Sequence, residues 1–264
     1  MSVLDEIVRA KRAEVGRLHP WRSALRKQAE SAPAPRDFTA ALRGDAVGVV
    51  AEVKRRSPSA GWIRRDLNAA GLASMYAHGG ASAVSVLTDG QHFGGSREDL
   101  EQVRGAVAVP VLRKDFVLEP VQVHEARAMG ADAVLLIVRI LNDAALRDLV
   151  ALAGELAMAA LVETHEVGEV ERALKAGARV LGINNRDLSR FETDLGTTER
   201  LIAGVPGDVV VVGESGVRDR ADVERLAEAG ADAVLVGESL VRSDDPQAAV
   251  AALAGVPRRP REAA

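Results

Sequence analysis

The sequence predicts an α/β chain folded as a (β/α)8 TIM barrel with an N-terminal helical extension. Three observations predict it. A glycine–turn–strand phrase recurs at intervals of about 50 residues. Eight apolar runs read as buried strands, and amphipathic helical patterns alternate with them. Continuously apolar strands separated by helices call for a parallel sheet covered by helices, and eight such units match the size of a barrel.

The elements follow in order. Residues 1–46 lie outside the repeat and read as a helical extension: an amphipathic helix over Leu4–Leu18, a second over Trp21–Glu30, then a Pro-rich connector. The first strand-like run is VGVVAEV. The phrases GGASAVSVL, MGADAVLLI, AGARVLGIN and AGADAVLVG each end a helix with glycine and enter a strand. Between them lie VPVLRK, MAALVE and DVVVVGES. Helical patterns include LEQVRGAV, PVQVHEARAM, AALRDLVALAGEL, VGEVERALKAG and RADVERLAEAG. The barrel domain is expected over residues 47–255 and a flexible tail over 256–264. A doubly wound open sheet is the alternative, but the first strand–helix turn lacks the GxGxxG nucleotide fingerprint.

Composition bounds the function. The chain has 264 residues, 47% hydrophobic and 27% charged, which suits a globular protein with a large core. A net charge of −4 argues against a broad nucleic-acid surface. No apolar run reaches the roughly 18 residues of a membrane span. The N-terminus lacks the apolar core of a secretion signal, so a cytoplasmic location is expected. Without cysteine, disulfides and thiolate metal sites are excluded. His78, His92, His124 and His165 show no metal-ligand spacing, so no metal is expected.

The ends of the strands carry the chemistry, because in a barrel they converge on one face. The first strand ends with Glu52 and Lys54, which share one side of it. The third ends with Lys114, the fifth with Glu163 and the sixth with Asn184. Two acids, two lysines and an amide at one mouth form either a salt-bridged cap or a reaction site. A lysine among cations has its pKa lowered and becomes a usable general acid, and a carboxylate in a partly dry site becomes a base. The seventh and eighth strands end in Glu214-Ser215-Gly216 and Gly237-Glu238-Ser239. Small residues before helix starts suit a phosphate on backbone N–H groups, although Gly-Glu-Ser also serves as a plain turn and cap. The Glu238 carboxylate would repel a phosphate, so its side chain is expected to turn away.

These residues sit in phrases that resemble the indole-3-glycerol phosphate synthase family: EVKRRSPSAG (52–61), SVLTDGQHFGGS (85–96), LRKDF (112–116), QVHEARAMGADAVLLI (122–137), LVETH (161–165), GINNRDL (182–188), ESGV (214–217) and LVGESL (235–240). The resemblance implies closure of a pyrrole ring in a carboxyphenylamino-deoxyribulose phosphate, with loss of carbon dioxide and water and without a cofactor. It implies Lys114 as general acid, Glu163 as base and proton shuttle, and Lys54 on the substrate carboxylate. Glu52 and Asn184 would orient hydroxyls and the lysines. Ser57, Glu214, Ser215, Gly216, Gly237 and Glu238 fall at phosphate- or substrate-binding positions. Phe93, Phe116 and Leu135 are candidate contacts for the aromatic ring, with plain packing as their alternative. Arg186 supports the sixth-strand site or forms a surface ion pair. Ala60 and Thr164 depart from the family pattern, where lysine and valine are common. The N-terminal segment is expected to cover the mouth. The implied partner is a phosphorylated small molecule, with no nucleic acid and no membrane, and the chain a monomer or weak homo-oligomer. A phosphoribosyl isomerase, a tryptophan synthase α-type lyase and a non-catalytic phosphate-binding protein are the competing readings.

Overall fold

Inward and outward residues alternate along every barrel strand, and that alternation decides what reaches the mouth. The computed structural model describes residues 3–186 and 192–261. Asp187 and Leu188 of the GINNRDL phrase and the last three residues lie outside them. The eight strands are β1 (Gly48–Val53), β2 (Ala83–Leu87), β3 (Val111–Lys114), β4 (Ala133–Ile137), β5 (Ala159–Thr164), β6 (Val180–Asn184), β7 (Val210–Glu214) and β8 (Ala233–Val236). All eight fall on the expected apolar runs. Each pairs in parallel with its neighbours in sequence, and β8 pairs with β1 to close the barrel. That last pairing excludes the open doubly wound sheet.

The recurring phrase has a backbone cause. Gly80, Gly130, Gly177 and Gly230 end four helices at φ between +88° and +96°, a conformation glycine adopts without steric cost. The chain then turns directly into β2, β4, β6 and β8.

Two apolar layers result. Val49, Ala51, Val84, Val134, Val162, Leu181, Val211 and Val234 point outward against the helices. Val50, Leu112, Leu135, Leu161, Val180, Val212 and Leu235 point into the barrel. A short helix, Phe38–Ala41, brings Phe38 and Leu42 into this inner layer, and Leu42 approaches Gly48 and Ala233 where β1 and β8 begin. The barrel is therefore plugged at the end away from the site.

The N-terminal extension holds α1 (Val3–Leu18), a 3-10 turn (His19–Trp21) and α2 (Arg22–Ser31). Val15 of α1, Leu25 of α2 and Val121 of the helix Pro120–Ala128 form a satellite core. Residues 256–261 make contacts with the barrel. Val47 N–H donates to the Val256 carbonyl, and Arg258 and Arg261 both pair with Asp232 beneath β8. The basic composition of the tail hid this, because its acceptor is distant in sequence. No helix among the described residues is long and apolar enough to cross a membrane.

Candidate active site

Glu52 follows Val50 by two residues, Lys114 follows Leu112, Glu163 follows Leu161, and Glu214 follows Val212. Each charged residue therefore extends the inward row of its strand past the core and into the mouth. Asn184 and Gly237 take the same parity on β6 and β8. These residues line a single cavity of about 500 Å³ together with Lys54, Ser57, Phe93, Phe116, Arg186, Ser215, Gly216 and Glu238. All the sequence-predicted site residues are thus brought together.

The charges form two linked groups. The Lys54 ammonium lies 2.7 Å from a Glu52 carboxylate oxygen. The Lys114 ammonium lies 2.7 Å from Glu214 and 3.5 Å from Glu163. The carboxylates need room: a Cβ on Gly182 would collide with the Glu214 carboxylate, and one on Gly237 would collide with that of Glu52. Gly237 therefore serves packing of the acid as well as any approach of an anion.

Glu214, expected at a phosphate- or substrate-binding position, points inward as the third acid of the mouth and is buried. Its parity with Val210 and Val212 is the signal that could have found it. Burial raises its pKa and Lys114 only partly offsets this, with Glu163 adding repulsion, so it is pushed up to about 7. Its Oε1 is buried against Gly182 with no hydrogen-bond partner among the described residues.

Lys114 departs from expectation in the direction of its shift. The expected lowering required cations around it, but its neighbours are carboxylates. Burial opposes its charge, and Glu214, Glu163 and Glu52 outweigh burial, so its pKa is raised and its ammonium stays protonated. For Glu52, burial raises the pKa, but Lys54 and Lys114 prevail and hold it below the usual carboxylate range.

The β7 and β8 turns carry the other pole. Ser215 and Gly216 are consecutive left-handed residues, at φ +65° and +92°. Serine there costs energy that the surroundings must over-determine. Asn185 does this: its side-chain amide donates to the Ser215 carbonyl at 3.1 Å, while its Oδ1 accepts from Thr198 N–H and hydroxyl. The Glu238 carboxylate pairs with Arg242 at 3.0 Å. Ser57 Oγ accepts from Ala60 N–H at 3.1 Å, so position 60 contributes backbone to the turn. Arg186 donates to Ser59 Oγ at 2.7 Å, across the cavity rim, and forms no ion pair among the described residues. Thr164 points outward and donates to the Gly182 carbonyl, tying β5 to β6.

Apolar walls complete the cavity. Phe93 and Phe116 pack with ring centroids 5.9 Å apart, beside Leu135. Val3, Leu4 and Ile7 of α1 lie over them. No cluster of three or more His, Asp or Glu suited to a metal occurs among the described residues.

A slot lined by two lysines, the turns after β7 and β8 and two phenylalanines suits an anionic substrate that carries a ring. Comparison with known proteins leads to the same place. The family model described as Indole-3-glycerol phosphate synthase matches residues 4–253. Curated relatives of that name include one from Mycobacterium ulcerans (strain Agy99), 50% identical over 96% of this chain and 93% of its own length. Another, from Mycobacterium leprae (strain Br4923), is 51% identical over the same shares. Among solved structures, a thiamine phosphate pyrophosphorylase from Pyrococcus furiosus superposes with a TM-score of 0.60 at 17% identity, over 80% of this chain and 95% of that one. An N-acetylmannosamine-6-phosphate 2-epimerase from Clostridium perfringens gives 0.60 at 14% identity, over 79% and 93%. Those two likenesses concern the barrel alone. Half of the residues are shared with the curated relatives over nearly the whole length of both chains, and on that ground this chain belongs to the indole-3-glycerol phosphate synthase family.

Proposed function

We propose that the cavity divides the family's reaction, decarboxylating and dehydrating ring closure of 1-(2-carboxyphenylamino)-1-deoxy-D-ribulose 5-phosphate, between its two groups of charges. The observation that carries this reading is the placement of Lys114 between Glu163 and Glu214 inside the slot that Ser215, Gly216 and Gly237 also line.

The substrate phosphate sits on the amides of the β7 and β8 turns, helped by Ser57. Its carboxylate is held by Lys54, and its ring packs between Phe93, Phe116 and Leu135. Lys114 donates to the ribulose carbonyl oxygen while the ring carbon bearing the carboxylate attacks the carbonyl carbon. A lysine held protonated suits this step, because the oxygen becomes alkoxide-like and more basic than an amine as the bond forms. Carbon dioxide then leaves, and its bonding pair restores the aromatic ring. In the dehydration, Glu163 removes the proton lost on forming the pyrrole double bond and returns a proton to the departing hydroxyl, which leaves as water. Glu52 and Asn184 orient hydroxyls and the lysines. Glu214 fixes the Lys114 ammonium.

The purified protein is expected to convert this substrate to a fluorescent indole product. In Glu163→Gln the turnover should fall by about 10²–10³ with KM little changed. A variant that raises KM alone would leave Glu163 a binding role and remove it as the base.

A further inference from the structure

A lysine with 1% exposure lies on the buried face of α1, outside the reaction cavity. Lys11 continues the stripe made by Ile7 and Val15 at four-residue spacing, so about 6 Å of helix separates it from Ile7. Its ammonium lies 2.8 Å from Asp115, 3.0 Å from Asp89 and 2.9 Å from Glu14. A buried cation of this kind is costly unless its partners are well placed. Both buried partners belong to loops that carry the aromatic wall. Asp115 stands between Lys114 and Phe116, and its Oδ1 accepts from Phe116 N–H at 2.8 Å. Asp89 caps the turn Gly90–Phe93 through His92 N–H at 2.7 Å. Asp115 is itself fixed by Arg113 and by the Thr88 hydroxyl. One ammonium thus joins three segments: α1, the loop bearing Phe93, and the loop bearing Phe116.

We propose that Lys11 is a positioning residue for substrate binding: held between Asp89 and Asp115, it locks α1 so that Val3, Leu4 and Ile7 close over the substrate's aromatic ring. The inference rests on the reading that the ring lies between Phe93 and Phe116. Lys11 touches no reacting atom, so its loss acts on formation of the closed complex and spares the chemical step.

The test uses the full chain. Lys11→Met should raise KM for the carboxyphenylamino substrate by about tenfold or more, with kcat changed by less than about threefold. Amide exchange over residues 3–18 in the substrate-free variant should quicken relative to wild type. Because Lys11→Met strands two buried carboxylates, Asp89→Asn serves beside it, since its Oδ1 keeps the cap on His92; the same shift in KM, smaller in size, is expected. Ile7→Ala should raise KM alone, yet add little in a Lys11→Met background, because the displaced helix no longer presents Ile7. Unchanged KM in either folded single variant, unchanged exchange in α1, or fully multiplicative effects with Ile7→Ala would each overturn the proposal. The exchange measurement needs no substrate, so it separates failure of the lock from failure of the substrate placement.

Discussion

Lys114→Ala is expected to lose about 10³-fold or more in kcat, within the range for removal of a positioned general acid. The alanine variant also leaves Glu163 and Glu214 facing each other without their shared cation, and breaking such a buried pair typically costs about 3–5 kcal/mol. Lys114→Arg separates the two effects. A guanidinium keeps the charge and can restore much of the stability, but it does not give up its proton. Turnover should therefore stay low in Lys114→Arg even where its thermal unfolding approaches that of wild type. An arginine variant with near-normal kcat would reduce Lys114 to an electrostatic part and remove it as the acid.

Glu214→Gln should lower turnover by about 10²-fold, because the Lys114 ammonium loses the carboxylate that aims it. It should also change how stability depends on pH. In the folded protein Glu214 holds its proton up to about 7, whereas an unfolded carboxyl releases it near 4.5. Between those values the native state binds more protons than the unfolded state, so this group's contribution to stability falls as pH rises through the window. The interval corresponds to on the order of 3 kcal/mol as an upper bound, since Lys114 shares the titration. Glutamine carries no such proton, so the stability of Glu214→Gln relative to wild type should improve from pH 5 to pH 8. Urea unfolding of both proteins at the two pH values checks this, and parallel profiles would contradict the raised pKa.

Most of the fold and the membership of the site were legible because both obey simple periodicities. The glycine at the end of each repeated phrase marks a left-handed turn, and the period of two along a strand tells which of its last residues faces inward. Glu52, Lys114, Glu163 and Asn184 all follow from that rule. Glu214 obeys it equally, yet its phrase ESG also reads as an anion-binding turn, and local sequence does not weigh those readings against each other. The direction of the Lys114 shift was not legible, since it depends on which charges of three other strands, those of Glu214, Glu163 and Glu52, come nearest. Lys11 was marked only by its place in an apolar stripe, and its partners Asp89 and Asp115 stand 78 and 104 positions away. The Arg258 and Arg261 contacts with Asp232 were hidden in the same way.

The proposed function requires one slot to hold two anions at fixed ends with Lys114 at the carbonyl between them. A crystal structure with the analogue whose ribulose carbonyl is reduced to a hydroxyl tests it most directly. The phosphate is expected on the amides of Ser215, Gly216, Gly237 and Glu238, the carboxylate on Lys54, and the new hydroxyl within about 3 Å of the Lys114 Nζ. A phosphate seated on Lys54, or a hydroxyl out of reach of Lys114, would contradict it.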